Sequence, residues 1–314
     1  MERRILLKSA AAIAASAGIV GVARAQSAAE GSIASASKAR GKPWIEASDG
    51  THLFFRDWGA GKSVLFVAPW GLNTDWWEYQ MSYLAEHGLR CVGYDRRGHG
   101  RSGEPASGYD FDTLGDDMAA VFDQLDLHNV TLIGQSLGCG EIVRYLSRHG
   151  RGRISRVVLV STITPFIMKT PDNPDGVDEA TLEQTPAALS MDRAHVIAAA
   201  VPSFFNEPTN KVSPEMADWW VRSMVDRCSL KVMIDLQRMF TRTDFRPELR
   251  TITVPTLLIH GDHDMSTPIE RTGRRTAELI PGCHLKVYEN AGHGLPITHK
   301  DRLNADLLEF GKGS

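Results

Sequence analysis

The sequence predicts an α/β fold: a mostly parallel central sheet with helices on both faces and an inserted helical cap. Three observations carry this. From Trp44 onward, short β-branched runs alternate with longer helical stretches, the pattern of strand–helix–strand units with right-handed crossovers. Between Thr164 and Arg246 the alternation stops, leaving Pro-rich turns and amphipathic helical segments with no convincing strand. The alternation then resumes and runs to the end of the chain.

Taken in order, "HLFFRDW" and "SVLFVA" read as strands joined by the "GAGK" turn. "DWWEYQMSYLAEHG" reads as a helix ending at Gly88, where a left-handed C-cap is easy. "RCVGYD" is a strand, and "DTLGDDMAAVFDQLDL" a helix whose start is marked by Thr113 and Asp116 at capping-box spacing. "VTLIG" is a strand, "SLGCGEIVRYLSRHG" a helix and "RVVLVS" a further strand. After the cap come the strand "TLLIH", the helix "PIERTGRRTAELI", the strand "LKVYE" and the helix "KDRLNADLLEFG". The expected division is core over 43–164, cap over 165–245 and core again over 246–314.

The first 42 residues read differently. "MERRILLK" sets paired arginines before the small apolar stretch "SAAAIAASAGIVGVA", too short to span a bilayer comfortably, and "ARA" precedes Gln26 as an A-x-A cleavage pattern. Residues 1–25 therefore resemble a twin-arginine export signal, with Glu2 in place of the usual Ser or Thr. The competing reading is an uncleaved anchor, disfavoured because the stretch is rich in Ala and Gly rather than Leu. Residues 26–42 are small, polar and unpatterned, a flexible linker. The expected location is the bacterial periplasm or outside, with no stable membrane association after cleavage.

The whole chain carries a formal charge of −3, and losing Glu2, Arg3, Arg4, Lys8 and Arg24 removes a net three positive charges to leave −6. That balance argues against nucleic acid or an anionic membrane held by bulk charge. Cys91, Cys139, Cys228 and Cys283 show no CxxC or zinc spacing and read as free thiols rather than a disulfide framework, the first two in buried elements, with one bridge left open by an oxidising compartment. Oligomeric state is open.

Chemistry concentrates at "GQSLG". A strand that turns at once into a helix strains its corner residue and presses the residues two before and two after against each other, so Gly134 and Gly138 fit there for want of side chains. Ser136 at that corner is the candidate nucleophile, and the helix N-terminus aims free N–H groups at it. A serine hydroxyl needs a neutral imidazole to take its proton. The elbow motif expects the order Ser, then acid, then His. "LLIHGDHDMSTP" and "ENAGHGLP" supply Asp264 and His293 in loops after strands, at the same sheet edge as Ser136. Asp264 is preferred over Asp262, which is expected to stabilise the turn through backbone N–H groups. His293 lies between glycines that let its loop project the ring. A metal site of His260, Asp262, His263 and Asp264 is the competing reading, with no closed ligand set behind it. The oxyanion donors are expected to be the N–H of Leu137 and, from the loop "APWGLN", that of Trp70, whose ring can also wall a pocket.

Together these residues resemble the α/β-hydrolase superfamily, and within it the cofactor-free bacterial chloroperoxidases, perhydrolases and arylesterases. The likeness runs from about Trp44 to Gly311 and rests on "GYDRRGHGRS", "GYDFDTLGDDMAAV", "GQSLGCGEIVRYLSRHG", "TPDNPDGV" and "THKDRLNADLLEF" as well as the three candidate residues. It implies an α/β-hydrolase fold, a Ser136–Asp264–His293 triad, Trp70 and Leu137 as oxyanion donors, and no cofactor. It also implies a structural role for the loop that holds His99. Four positions depart from the pattern. Ala68-Pro69 stands where His-Gly is usual, and Pro69 has no N–H to donate. Gly71 replaces a Pro often found in members that handle peroxide well, which argues against efficient peracid formation and leaves ester hydrolysis untouched. Gln135 replaces a common His, with a modest effect expected.

The implied function is a serine hydrolase for small carboxylic esters, arylesterase-like, acting through an acyl-enzyme, with perhydrolase or haloperoxidase chemistry as a side activity. Lactone or carbon–carbon bond hydrolysis uses the same triad. A non-catalytic ligand-binding protein of this fold would have lost a triad member, and none is lost here. Phe166, Met168, Phe204, Phe205, Trp219 and Trp220 in the cap either line a pocket or pack helices, and packing is the commoner fate of helical aromatics.

Overall fold

The architecture follows from where the apolar runs place eight strands. The computed structural model describes residues 43–313, so the export signal and the linker read from the sequence lie outside the described residues. Strands β1 (Trp44–Glu46), β2 (His52–Gly59), β3 (Lys62–Val67), β4 (Leu89–Tyr94), β5 (Val130–Gln135), β6 (Ile154–Val160), β7 (Thr256–Gly261) and β8 (His284–Tyr288) form one sheet in the order β1-β2-β4-β3-β5-β6-β7-β8. β1 pairs with β2 and β2 with β4 antiparallel, while β4, β3, β5, β6, β7 and β8 run parallel. Strands β2 and β3, adjacent in sequence, are separated in space by β4, so the "GAGK" turn does not close a hairpin.

Every residue of β5 and of β7 is buried, as expected of central parallel strands with both faces covered. The helices are α1 (Glu78–Glu86), α2 (Phe111–Gln124), α3 (Leu137–His149), α4 (Glu179–Leu182), α5 (Gln184–Phe205), α6 (Pro214–Arg227), α7 (Leu230–Arg242), α8 (Arg246–Leu249), α9 (Gly273–Leu279), α10 (Leu295–Thr298) and α11 (Lys300–Lys312). From β3 the chain crosses to β4 through α1, then back over β3 to β5 through α2. Right-handed crossovers taken in opposite directions put α1 and α2 on opposite faces. Helix α11 packs beside α1, and α3 beside α2.

Two helix starts differ from the sequence reading. Helix α2 begins at Phe111 because the Asp110 carboxylate caps it, accepting from the Thr113 N–H at 2.9 Å, rather than Thr113 acting as the cap. The segment before α1 winds into a single 3₁₀ turn over Thr74–Trp77, capped by Asn73. Among the described residues between β6 and β7 lie five helices and no sheet strand. Helix α5 is broken at Asp192, whose carboxylate accepts from the His195 N–H and restarts the helix, and it ends at Asn206 in a left-handed conformation. Cys91, Cys139 and Cys228 are buried and Cys283 half-buried, all as free thiols.

Candidate active site

Because β3, β5, β6, β7 and β8 are parallel, the loops that follow them leave the sheet at one edge. The strand order reverses at β3/β5, the point where such sheets form their ligand crevice. The Trp70 loop follows β3 and Ser136 follows β5, so both stand at that reversal.

Ser136 caps α3 with φ 54° and ψ −116°, a left-handed backbone that costs a non-glycine residue about 1–3 kcal/mol. Its N–H is held by the Val160 carbonyl at 3.0 Å. The two elbow glycines lie against each other: a Cβ on Gly134 would sit 2.8 Å from the Gly138 carbonyl. A Cβ on Gly138 would sit 2.6 Å from the Val67 carbonyl oxygen and 3.0 Å from that of Ala68. Gly138 thus lets the first turn of α3 press on the end of β3, bringing the Leu137 and Trp70 segments together. Among the described residues, neither the Leu137 nor the Trp70 backbone N–H meets a protein acceptor. The Trp70 indole turns toward the cap, donating to the Met233 carbonyl at 2.9 Å and meeting Phe240 edge-on.

His293 and Asp264 meet directly, with Nδ1 2.7 Å from Oδ2. Both are buried. Burial pushes the Asp264 carboxyl up, but the facing His293 ring and the hydrogen bonds it accepts overcome this and hold it at about 2. An ionised Asp264 makes Nδ1 the donor of this bond. Asp264 Oδ1 accepts the Ser266 and Thr267 N–H groups at 3.0 and 2.8 Å, and Thr267 Oγ1 donates to Oδ2 at 3.0 Å. The turn-stabilising role expected of Asp262 therefore belongs to Asp264 itself, whose two oxygens divide the work. Asp262 instead faces solvent and pairs with His263.

His260, the fourth member of the competing metal set, lies inside the core with Nε2 2.7 Å from the Thr267 carbonyl and 3.4 Å from Asp264 Oδ2. Burial lowers its pKa and keeps it neutral. The four residues do not converge, and among the described residues no three of His, Cys, Asp and Glu come together in a way that could hold a metal ion.

The glycines around His293 serve close approach rather than unusual backbone angles. A Cβ on Gly294 would lie 2.4 Å from the Phe205 ring, and one on Gly292 2.7 Å from the Phe204 carbonyl oxygen. The Gly294 N–H donates to that same carbonyl at 2.8 Å, and the Phe204 ring meets the His293 ring edge-on at 5.3 Å. The last turn of α5 thus clamps the histidine loop. Trp76 packs on Phe204 and stacks with Trp219, while Phe205 and Trp220 pack beside them.

Sequence reasoning missed three supports of this arrangement. Gln135, given only modest weight, is fully buried; its Oε1 accepts from the Trp76 indole at 2.5 Å and its Nε2 donates to the His293 carbonyl at 2.7 Å. Arg96 is buried against Glu141 and reaches the carbonyls of Ala68 and Pro69. Thr267 braces the acid. Charged residues at positions expected to be buried, Arg96 in "GYDRR" and Glu141 on the inner face of α3, were a signal that each needs a partner, since unpaired buried charge is rare.

Comparison with known proteins matches residues 62–300 to the family model described as alpha/beta hydrolase fold. A non-heme chloroperoxidase of Kitasatospora aureofaciens is 39% identical over 273 residues, covering 85% of this chain and 98% of that protein. A bifunctional esterase/perhydrolase of Acinetobacter calcoaceticus is 35% identical, over 85% of this chain and 98% of that protein. The crystal structure of a bromoperoxidase from Bacillus anthracis superposes with a TM-score of 0.82 at 35% identity, covering 86% of this chain and 99% of the other.

Proposed function

The chain belongs to the α/β-hydrolase family, and from that premise we propose that it is a serine hydrolase cleaving small, uncharged carboxylic esters through an acyl-enzyme on Ser136. The observation that carries this is the bond between His293 Nδ1 and Asp264, in a loop whose His293 carbonyl is held by Gln135, the residue preceding Ser136. That arrangement fixes the tautomer of an imidazole whose loop leaves the same sheet edge as a serine at a helix N-terminus.

In the proposed cycle Ser136 Oγ attacks the ester carbonyl while His293 Nε2 takes the hydroxyl proton. Asp264 holds the resulting imidazolium in place. The N–H groups of Leu137 and Trp70 receive the oxyanion. The intermediate collapses as His293 returns the proton to the leaving alkoxide. Water then attacks the acyl-enzyme, giving its proton to His293, and the acid departs with the Ser136 hydroxyl restored.

Hydrogen peroxide in place of water would release a peracid, and the names of the related chloroperoxidase and esterase/perhydrolase favour that as a side activity. Gly71 weighs against its efficiency. It has φ 73°, which a proline locked near −65° cannot adopt, so this loop takes a path closed to the Pro-bearing sequences.

The test compares p-nitrophenyl acetate turnover by the wild-type protein and by Ser136→Ala, each with and without a chelator. The expected result is a loss of about four to six orders of magnitude in kcat for the variant, with no effect of chelator on the wild type. Wild-type turnover by Ser136→Ala would overturn the reading.

A further inference from the structure

The two expected oxyanion donors come from different elements, the Trp70 loop after β3 and the start of α3. Their relative aim decides whether both N–H groups converge on one oxygen. Arg96 and Glu141 join the two elements. Glu141 lies one helical turn beyond Leu137 on α3, and its Oε1 receives the Arg96 guanidinium. Its Oε2 accepts from the Tyr94 hydroxyl at 3.1 Å. The other edge of the guanidinium donates to the Ala68 carbonyl at 2.6 Å and to that of Pro69 at 3.4 Å.

Pro69 O and the Trp70 N–H belong to the same peptide unit. That unit is trans, because the cis bonds among the described residues are Thr164-Pro165 and Glu207-Pro208. In a trans peptide the carbonyl and the N–H point to opposite sides. The Pro69 carbonyl, held by the guanidinium and, at 3.3 Å, by the Leu72 N–H, therefore sends the Trp70 N–H out on the other side. Arg96 has five donors in a rigid plane, so its orientation against Glu141 fixes the tilt of the loop.

Stability does not explain the pair. Arg96 and Glu141 are 2% and 0% exposed, and desolvating two such charges commonly costs as much as their attraction returns. Apolar side chains would fill the space as well, but none of them could grip two carbonyls and a helix at once.

We propose that Arg96, held by Glu141, is a positioning residue that sets the aim of the Trp70 N–H against that of Leu137, so that oxyanion stabilisation depends on a side chain that touches no substrate. This rests on the reading of Ser136 as the nucleophile.

The test uses Arg96→Lys, which keeps the charge but not the planar fork, and Tyr94→Phe, which removes one bond to Glu141. Each is assayed for ester turnover, for thermal unfolding, and for inhibition by a trifluoromethyl ketone, which becomes a tetrahedral oxyanion adduct on the serine. For Arg96→Lys, kcat and ketone affinity are expected to fall together by about 10- to 100-fold, below the loss for deleting a donor outright, with KM moving less than about three-fold. Tyr94→Phe should shift the same two quantities together by about two- to five-fold. Lowered stability with wild-type kcat and ketone affinity in the folded protein overturns the proposal. If Arg96→Lys does not fold, Tyr94→Phe decides by the same criterion. Ser136→Ala is run beside them: activity there sinks the hydrolase reading, whereas an inactive Ser136→Ala with a wild-type-like Arg96→Lys sinks the positioning role alone.

Discussion

The Gln135 side chain donates its Nε2 amide to the backbone carbonyl of His293 at 2.7 Å, so the residue just before Ser136 in the chain holds the loop of the proposed base. Its other end accepts from Trp76, and all three residues are buried. Gln135→Leu would leave an indole N–H and a carbonyl buried without partners, at about 1–3 kcal/mol each. Urea unfolding is expected to show a loss of about 2–5 kcal/mol. Release of the histidine loop should lower kcat/KM by about 10- to 100-fold. Gln135→His retains a donor and an acceptor and should lose less of both.

Gly138→Ala tests the contact between the elbow and the oxyanion loop. The new Cβ would meet two backbone carbonyl oxygens, which cannot move aside as a flexible side chain can. The expected destabilisation is about 1–3 kcal/mol. Since the same shift separates Leu137 from Trp70, kcat should fall by about ten-fold or more with KM little changed. Equal kcat in the folded variant would count against this contact as an aligner.

Asp264→Asn examines the tautomer. An amide NH₂ facing Nδ1 favours the ring form with its proton on Nε2, the wrong form for a base. Turnover at neutral pH is expected to drop by about 10⁴-fold, by analogy with the serine-protease triad. Acetate-ester kinetics check it, with circular dichroism to confirm folding.

The pH dependence of stability should report the buried His99. Its Nδ1 lies 3.1 Å from the Arg97 carbonyl and its Nε2 3.5 Å from Cys228 Sγ, and burial together with the charge of Arg96 lowers its pKa to about 3. An unfolded histidine titrates near 6.5. Between those values the unfolded chain binds a proton that the folded one refuses, so stability falls as pH drops through this window. The slope is up to about 1.4 kcal/mol per pH unit. Burial lowers His260 too, adding to the same trend. Between pH 6.5 and 4.5, His99→Gln should lose about 2–3 kcal/mol less than the wild type in urea titrations.

The twin-arginine pattern at the N-terminus predicts a mature chain beginning at Gln26. Mass spectrometry of exported protein checks this, and an intact Met1 would favour the anchor.

Legibility in the sequence followed the range of the interactions. The strands around Ser136, Asp264 and His293 were readable because continuous β-branched runs and fixed motif order are local signals. The cap of α2, Asp110, was misplaced by three residues because "DFDTLGDD" offers several capping side chains, and only the backbone path chooses between them. Gln135 with His293 and Arg96 with Ala68 were not readable, since each joins elements through the sheet order rather than along the chain. Nor could the reason for Gly292 and Gly294 be read: nothing nearby announces that Phe204 and Phe205, almost ninety residues earlier, will lie on top of them.

That last contact divides the cap into two kinds of surface. Residues 204–206 act as a bearing for the imidazole loop, and a bulkier or looser turn there would disturb proton transfer whatever the substrate. On the proposed esterase reading, variation aimed at a new acyl or alcohol group is therefore best directed to α6 and α7, where Trp219 and Phe240 face Trp76 and Trp70, while the end of α5 is left as it is.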